Sequence, residues 1–243
     1  MSRTQTPPAE GLIRARIEAI HDEAPDIKSF QLDYGAQPFR FLPGQWIDLV
    51  VGFEDGYQTG GYSVTSTPLE FERLQLAIKA ARRHPVTRYL HEDARLGDEV
   101  WISQGQGHFW FKRGTGHRLV LLGAGIGVTP LISILRYVYR AAPDVAATLV
   151  YGVRQPEDIL FRDELDAMAA ASSRIACIYT VSEPPAAWRG HTGRIDRELL
   201  QALTLPRAAL YYYCGAPGFV EAMTRDLGAL GIAAEQLVYE RWW

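Results

Sequence analysis

Apolar residues in the first half of the chain recur at every second position. Arg14–Ile20 alternates, and Ile27–Leu32 alternates again after a turn at Ala24-Pro25-Asp26. Phe41-Leu-Pro-Gly44 is a turn signal leading into the strand-like run Gln45–Val51. Arg73–Lys79 alternates cleanly, and Glu99–Ser103 is short and rich in strand formers. About six short strands broken by Gly and Pro predict a small antiparallel barrel. One helix interrupts them: Thr87–Ala94 lacks Gly and Pro, and Pro85 suits its first turn.

After Gly116 the period changes. Leu119–Leu122 is wholly apolar, and a helix is predicted from Pro130 to Arg140. Then come strand Ala147–Tyr151, helix Pro156–Ala170, strand Ile175–Val181, helix Asp196–Leu203, strand Ala209–Cys214, helix Pro217–Leu230 and a last strand at Gln236–Tyr239. Short apolar runs alternating with amphipathic helices predict an α/β parallel sheet with helices on both faces. Arg113–Gly116 reads as the linker, which places the domains at residues 11–113 and 117–243. Residues 1–10 are polar, hold two prolines and are expected to form a disordered tail.

Composition narrows the chemistry. The chain has 243 residues, 47% of them hydrophobic, and a net charge of −3. That balance gives no general pull toward nucleic acid or an anionic membrane surface. The uncharged stretch Leu119–Leu135 contains Pro130 and falls short of the about 20 apolar residues that span a bilayer. A soluble, cytoplasmic setting without membrane insertion is expected. With 2 cysteines, Cys177 and Cys214, the chain cannot supply the four thiolates of an iron–sulfur cluster. The 6 histidines show no metal-ligand spacing, so no metal is expected. Gly61–Thr65 approaches a nucleophile elbow but lacks its final glycine and lies in the β-rich half. Redox chemistry would therefore run through a bound organic cofactor or a partner.

Gly123-Ala-Gly-Ile-Gly-Val-Thr-Pro130 falls where the first strand-to-helix turn of the parallel sheet should be. A diphosphate approaches backbone amides at a helix N-terminus, and glycine allows that approach because it has no Cβ. The spacing departs from the dinucleotide fingerprint G-x-G-x-x-G, and the same turn also serves as a tight connection without a ligand.

Five segments in order resemble the ferredoxin–NADP reductase superfamily of FAD- and nicotinamide-dependent reductases. Tyr62-Ser-Val-Thr-Ser66 is similar to the end of its flavin motif R-x-Y-S-x-x-S, and Gly123–Pro130 to its G-G-G-x-G-x-T-P turn. Tyr151–Leu165 resembles the segment after the second nicotinamide-domain strand, Tyr213–Gly218 the C-G-x-P motif, and Tyr239–Trp243 a flavin-capping end. Gly60-Gly-Tyr-Ser63, His84-Pro85 and Glu240-Arg-Trp-Trp243 are also similar to a subgroup of oxidoreductase NAD-binding domain-containing proteins.

The resemblance implies an antiparallel β-barrel flavin domain followed by an α/β nicotinamide-binding domain. It implies that Tyr62 packs on the isoalloxazine, that Ser63 hydrogen-bonds flavin N5, and that Val64 and Thr65 continue the contact. Ile78, Lys79, Arg82, Arg83 and the turn His84-Pro85-Val86-Thr87 would receive the FAD diphosphate. Gly123, Gly125, Gly127, Val128, Thr129 and Pro130 would hold the nicotinamide nucleotide, with Arg154, Ser182 and Glu183 near its ribose and Gly215 beside it. Cys214 would sit by nicotinamide C4, Glu240 near Ser63 and Cys214, and Trp243 on the flavin face. Cys214 also reads as a small buried hydrophobe, and the terminal tryptophans as filling a groove or an interface.

Two departures shape the expectations. The motif arginine two positions before Tyr62 is Gly60 here, so Lys79, Arg82 or Arg83 would have to compensate, or FMN or free flavin would replace FAD. The position after Ser182 is Glu183 rather than arginine, which favours NADH over NADPH because a carboxylate repels a 2′-phosphate. The expected activity is hydride transfer from NADH to FAD, followed by electron delivery to a separate, unidentified acceptor, protein or small molecule. An NAD(P)H:flavin reductase and a non-catalytic nucleotide-binding module are the alternatives.

Overall fold

The structure, a computed structural model, describes residues 9–241. The described residues divide into two compact units, one ending at Trp110 and the other beginning at Phe111. The contact boundary thus falls at Trp110 and Phe111, ahead of the Arg113–Gly116 segment.

The first unit is built on strands β1 (Ile13–Ala24), β2 (Ile27–Asp33), β3 (Trp46–Phe53), β4 (Gly56–Ser63), β5 (Arg73–Lys79) and β6 (Glu99–Ile102). They form an antiparallel sheet in the order β4-β3-β6-β1-β2-β5. An antiparallel bridge between Val64 and Leu76 joins the residue after β4 to β5 and curls the sheet into a barrel. Alternation works as predicted: Ile13, Ala15 and Ile17 point into the core with Phe30, Leu32, Leu74, Leu76 and Ile78.

Two details differ from expectation. β4 is a strand although Gly56-Tyr-Gln-Thr-Gly-Gly-Tyr-Ser63 carries little strand propensity. Continuous pairing with β3, from Trp46–Ser63 to Phe53–Gly56, recruits it. Helix α1 runs Pro85–Glu92, earlier than Thr87–Ala94, because His84 caps it and Pro85 opens it.

The second unit holds β7 (Arg118–Ala124), α2 (Thr129–Ala141), β8 (Ala146–Val153), α3 (Arg162–Ala171), β9 (Ile175–Val181), β10 (His191–Thr192), α4 (Arg197–Ala202), β11 (Leu210–Gly215), α5 (Pro217–Ala229) and β12 (Leu237–Arg241). The six strands are parallel in the order β10-β9-β8-β7-β11-β12. The sequence pattern missed β10, which is only 2 residues long. The predicted helix Pro156–Ala170 is broken. A 3-10 turn covers Pro156–Asp158, and Phe161 sits in the left-handed region at φ 54 before α3 starts. Burial of Ile159 and Leu160 and stacking of the Arg136 guanidinium over the Phe161 ring, at 4.5 Å, favour that break.

The sheet order reverses direction between β7 and β11. At such a point the connections leave to opposite faces, and a crevice opens beyond the carboxyl ends of the strands. Among the described residues no helix is long and apolar enough to cross a membrane.

Candidate functional site

In the parallel-sheet unit, the glycine turn leaves β7 at this reversal point. Cys214 is in register with Gly123 on one side and with Glu240 of β12 on the other. The three glycines have different reasons. A Cβ on Gly123 would meet Leu131 at 3.0 Å, which is a packing constraint. Gly125 has φ +52 and open space where a Cβ would stand. Gly127 is pressed on β11: its Cβ would lie 2.5 Å from the Cys214 carbonyl oxygen and 2.6 Å from Gly215 Cα. The turn is therefore locked to the strand end that carries Cys214. Val128, Thr129 and Pro130 are buried, and the Thr129 hydroxyl donates to the Ile126 carbonyl at 2.9 Å. The turn opens α2 with a short 3-10 stretch, Gly125–Val128. The space over Gly125 and the amides at the start of α2 suit a nucleotide diphosphate.

The neighbouring loops bring Arg154, Ser182 and Glu183 together. The Ser182 amide donates to the Val153 carbonyl at 3.0 Å, and the Glu183 amide to the Arg154 carbonyl at 2.9 Å. Arg154 Nε then meets Glu183 Oε1 at 2.8 Å. Both side chains are exposed, and the carboxylate holds the guanidinium firmly protonated. Cys214 and Gly215 are buried, while Glu240 is half-buried with its Oε2 shielded from solvent. Trp243 lies outside the described residues, as do residues 1–8 of the expected tail.

A cavity of about 680 Å³ opens elsewhere in this unit, between the start of α3 and the loop after β9. Arg162, Cys177, Tyr179 and Trp188 line it, and none of the predicted site residues does. Burial and the nearby Asp166 carboxylate push the Cys177 thiol up to about 11, so it remains a neutral thiol.

In the barrel unit, Tyr62 and Ser63 end β4, with Ser63 opposite Trp46. The Tyr62 hydroxyl and Thr87 Oγ1 are 2.8 Å apart, which ties β4 to the first turn of α1. Burial pushes the Tyr62 phenol up to about 12. His84 Nδ1 accepts from the Thr87 amide at 3.4 Å, and the Arg88 amide donates to the His84 carbonyl at 2.9 Å. Val64, Ile78 and Val86 point into the barrel core, so only their main-chain atoms are placed to meet a ligand. The Thr65 hydroxyl is spent on the Gln75 carbonyl at 3.0 Å. Lys79, Arg82, Arg83 and Arg88 are exposed, and none pairs with a carboxylate among the described residues. These four cations lie on the chain that leads into and opens α1, and such groups could hold a diphosphate. Arg88 was not singled out from the sequence; its place one turn into a capped helix was the available signal.

The barrel matches the family model for the oxidoreductase FAD-binding domain over residues 14–111. The parallel-sheet unit matches the oxidoreductase NAD-binding domain over residues 121–225. Ferredoxin–NADP reductase B of Sorangium cellulosum is 31% identical over 96% of its own length and 94% of this chain. Oxidoreductase NAD-binding domain-containing protein 1 of Danio rerio is 29% identical, covering 96% of this chain and 92% of the relative. Among solved structures, a ferredoxin NADP+ reductase from Neisseria gonorrhoeae with bound FAD and NADP superposes with a TM-score of 0.83 at 22% identity, covering 97% of this chain and 100% of the other. With two matching domain models in series and a relative aligned along nearly its whole length, the chain belongs to the ferredoxin–NADP reductase family of FAD- and NAD(P)-binding oxidoreductases.

Proposed function

We propose that the chain is an FAD-dependent reductase that takes hydride from NADH and passes electrons to a separate acceptor. The observation that carries this reading is the locking of the Gly123–Pro130 turn against Cys214-Gly215 at the reversal point of the sheet. It presents a nucleotide turn and a buried thiol side by side, at the place where parallel sheets bind nucleotides.

FAD, when bound, accepts a hydride from the reduced nicotinamide and releases the electrons to an acceptor. The chain's own residues bind, orient and shield. Gly125 and Gly127 admit the nucleotide diphosphate to the start of α2. Cys214 supplies a small, buried wall beside the nicotinamide. Tyr62 offers a flat face and Ser63 a hydroxyl to the isoalloxazine, while Lys79, Arg82, Arg83 and the His84–Thr87 turn take the FAD phosphates. Glu240 joins this set as the carboxylate neighbour of Cys214 on β12.

The Arg154–Glu183 pair supports NADH over NADPH. A 2′-phosphate seeking Arg154 must displace a carboxylate already 2.8 Å away, whereas ribose hydroxyls can donate to that carboxylate. A second reading, reduction of diffusible flavin, is favoured by Gly60, which removes a cation from the flavin motif.

Anaerobic NADH added to the FAD-loaded chain should bleach the flavin absorbance, and an oxidant should restore it. Flavin that stays oxidised would overturn the reductase reading. A colourless protein that neither FAD nor FMN reconstitutes would overturn the flavin reading itself. Loss of flavin on gel filtration, with turnover kept when flavin is added, would select the second reading.

A further inference from the structure

Gly60 and Tyr62 are two residues apart on β4, so they share one face of the strand. Gly60 is buried, and what covers it is the Tyr62 ring. A Cβ on Gly60 would lie 2.6 Å from the Tyr62 hydroxyl and 2.8 Å from two ring carbons. These are distances that no Cβ keeps, so any other residue at 60 must push the ring aside. The ring cannot move alone, because its hydroxyl is bonded to Thr87 Oγ1 at 2.8 Å. Thr87 in turn stands in the first turn of α1, its amide capped by His84. A side chain at 60 would thus disturb β4, Tyr62 and the α1 turn together.

We propose that Gly60 is the seat of the Tyr62 ring, and that this chain replaces a fixed phosphate-binding cation on β4 by a tyrosine brace holding the α1 turn. The inference rests on the flavin-binding reading and goes further: Tyr62 is a positioning residue for Thr87, and glycine at 60 is a requirement of that role. The positive charge for the diphosphate then comes from Lys79, Arg82, Arg83 and Arg88, which are exposed and have no carboxylate partner among the described residues. The neutral phenol suits the brace. An ionised tyrosine would repel the phosphates, and burial keeps this one protonated throughout the neutral range.

The test is a double-mutant cycle on the full chain, read as FAD affinity by quenching of flavin fluorescence. In the wild-type background Gly60→Arg should weaken FAD binding about tenfold, although it adds a cation near the phosphates. In a Tyr62→Ala background the same Gly60→Arg change should tighten it, because the ring no longer occupies the space. Tyr62→Phe keeps the ring, so Gly60→Arg should still weaken binding there. Tighter FAD binding by Gly60→Arg with Tyr62 intact, or an equal effect in all backgrounds, overturns the proposal. If Gly60→Arg does not fold, Gly60→Ala adds only the Cβ and should act in the same direction by about threefold. The cycle is also read by thermal unfolding without flavin. Gly60→Ala should lower the Tm when Tyr62 is present and not in Tyr62→Ala, and an equal shift in both backgrounds would overturn the seat. A wild-type chain that binds no FAD faults the flavin reading and leaves the thermal cycle to decide the steric one.

Discussion

The two units prepare for a diphosphate in opposite ways. The barrel carries four exposed cations, Lys79, Arg82, Arg83 and Arg88, on the stretch of chain that leads into and opens α1. The parallel-sheet unit has no cation between Gly123 and Pro130, so that turn offers only backbone donors. The turn keeps its shape because Gly125 takes φ +52 and Gly127 lacks the Cβ that would lie 2.5 Å from the Cys214 carbonyl oxygen on β11. Charge acts over several ångströms and forgives small errors of placement, but salt screens it. Backbone amides need close approach, which makes them insensitive to salt and intolerant of one added methyl group.

That contrast breaks most sharply at Gly127. Gly127→Ala places a methyl against main chain of Cys214 and Gly215, neither of which can rotate away. The expected outcome is a loss of NADH affinity of about a hundredfold and a destabilisation of about 1–3 kcal/mol from overpacking. Calorimetric titration should show this while FAD still binds the barrel. If NADH binding survives unchanged, the backbone account of the turn is wrong.

Salt and arginine removal probe the other side. Raising ionic strength from about 0.05 to 0.5 M should lower FAD affinity about tenfold and NADH affinity less. Arg82→Ala with Arg83→Ala should lower FAD affinity about tenfold at low salt and flatten its salt dependence. Parallel slopes for both ligands, or an unchanged slope in the double variant, would remove the distinction between the units.

Coenzyme choice sharpens the comparison, since Arg154–Glu183 places charge beside an otherwise backbone-built site. Glu183→Arg should shift the NADPH-to-NADH ratio of kcat/KM by about tenfold toward NADPH, a change steady-state kinetics reads directly. Glu183→Gln, which frees Arg154 without adding charge, should shift it the same way by less.

The smallest effect concerns pH. Burial pushes the phenols of Tyr62 and Tyr212 up to about 12, and raises Tyr151 and Tyr179 as well. A raised folded value means that the unfolded chain loses its protons first. The stabilisation is complete below pH about 10 and declines as pH rises toward 12. Denaturant midpoints should therefore fall between pH 10 and 12, and tyrosinate absorbance should lag behind that of the denatured chain. Full titration at pH 10 with the fold intact would contradict this.

Much of the fold was legible because burial imposes its own period. Ile13–Ile17 alternates in sequence and in exposure alike, and the apolar run at Leu119–Leu122 is a central strand covered on both faces. The glycine turn was legible because few arrangements other than a strand-to-helix turn need Gly at three alternate positions before Thr-Pro. β4 was not, since Gly60 and Gly61 carry no propensity and the strand exists through its pairing with β3. Nor was the break at Phe161, which depends on Arg136 reaching it from α2.

For the site, the sequence by itself determined which residue types were available: a glycine turn, a cysteine ending a strand, a tyrosine–serine pair, loose cations and a carboxylate where a cation was expected. Those are local choices of chemistry, and one-dimensional spacing is enough to expose them. Tertiary structure alone decided their partners. It put Cys214 behind Gly127, paired Glu183 with Arg154, and laid Tyr62 over Gly60 with its hydroxyl on Thr87. Such contacts arise where separate strands and loops converge, and their distances depend on packing that no single segment encodes.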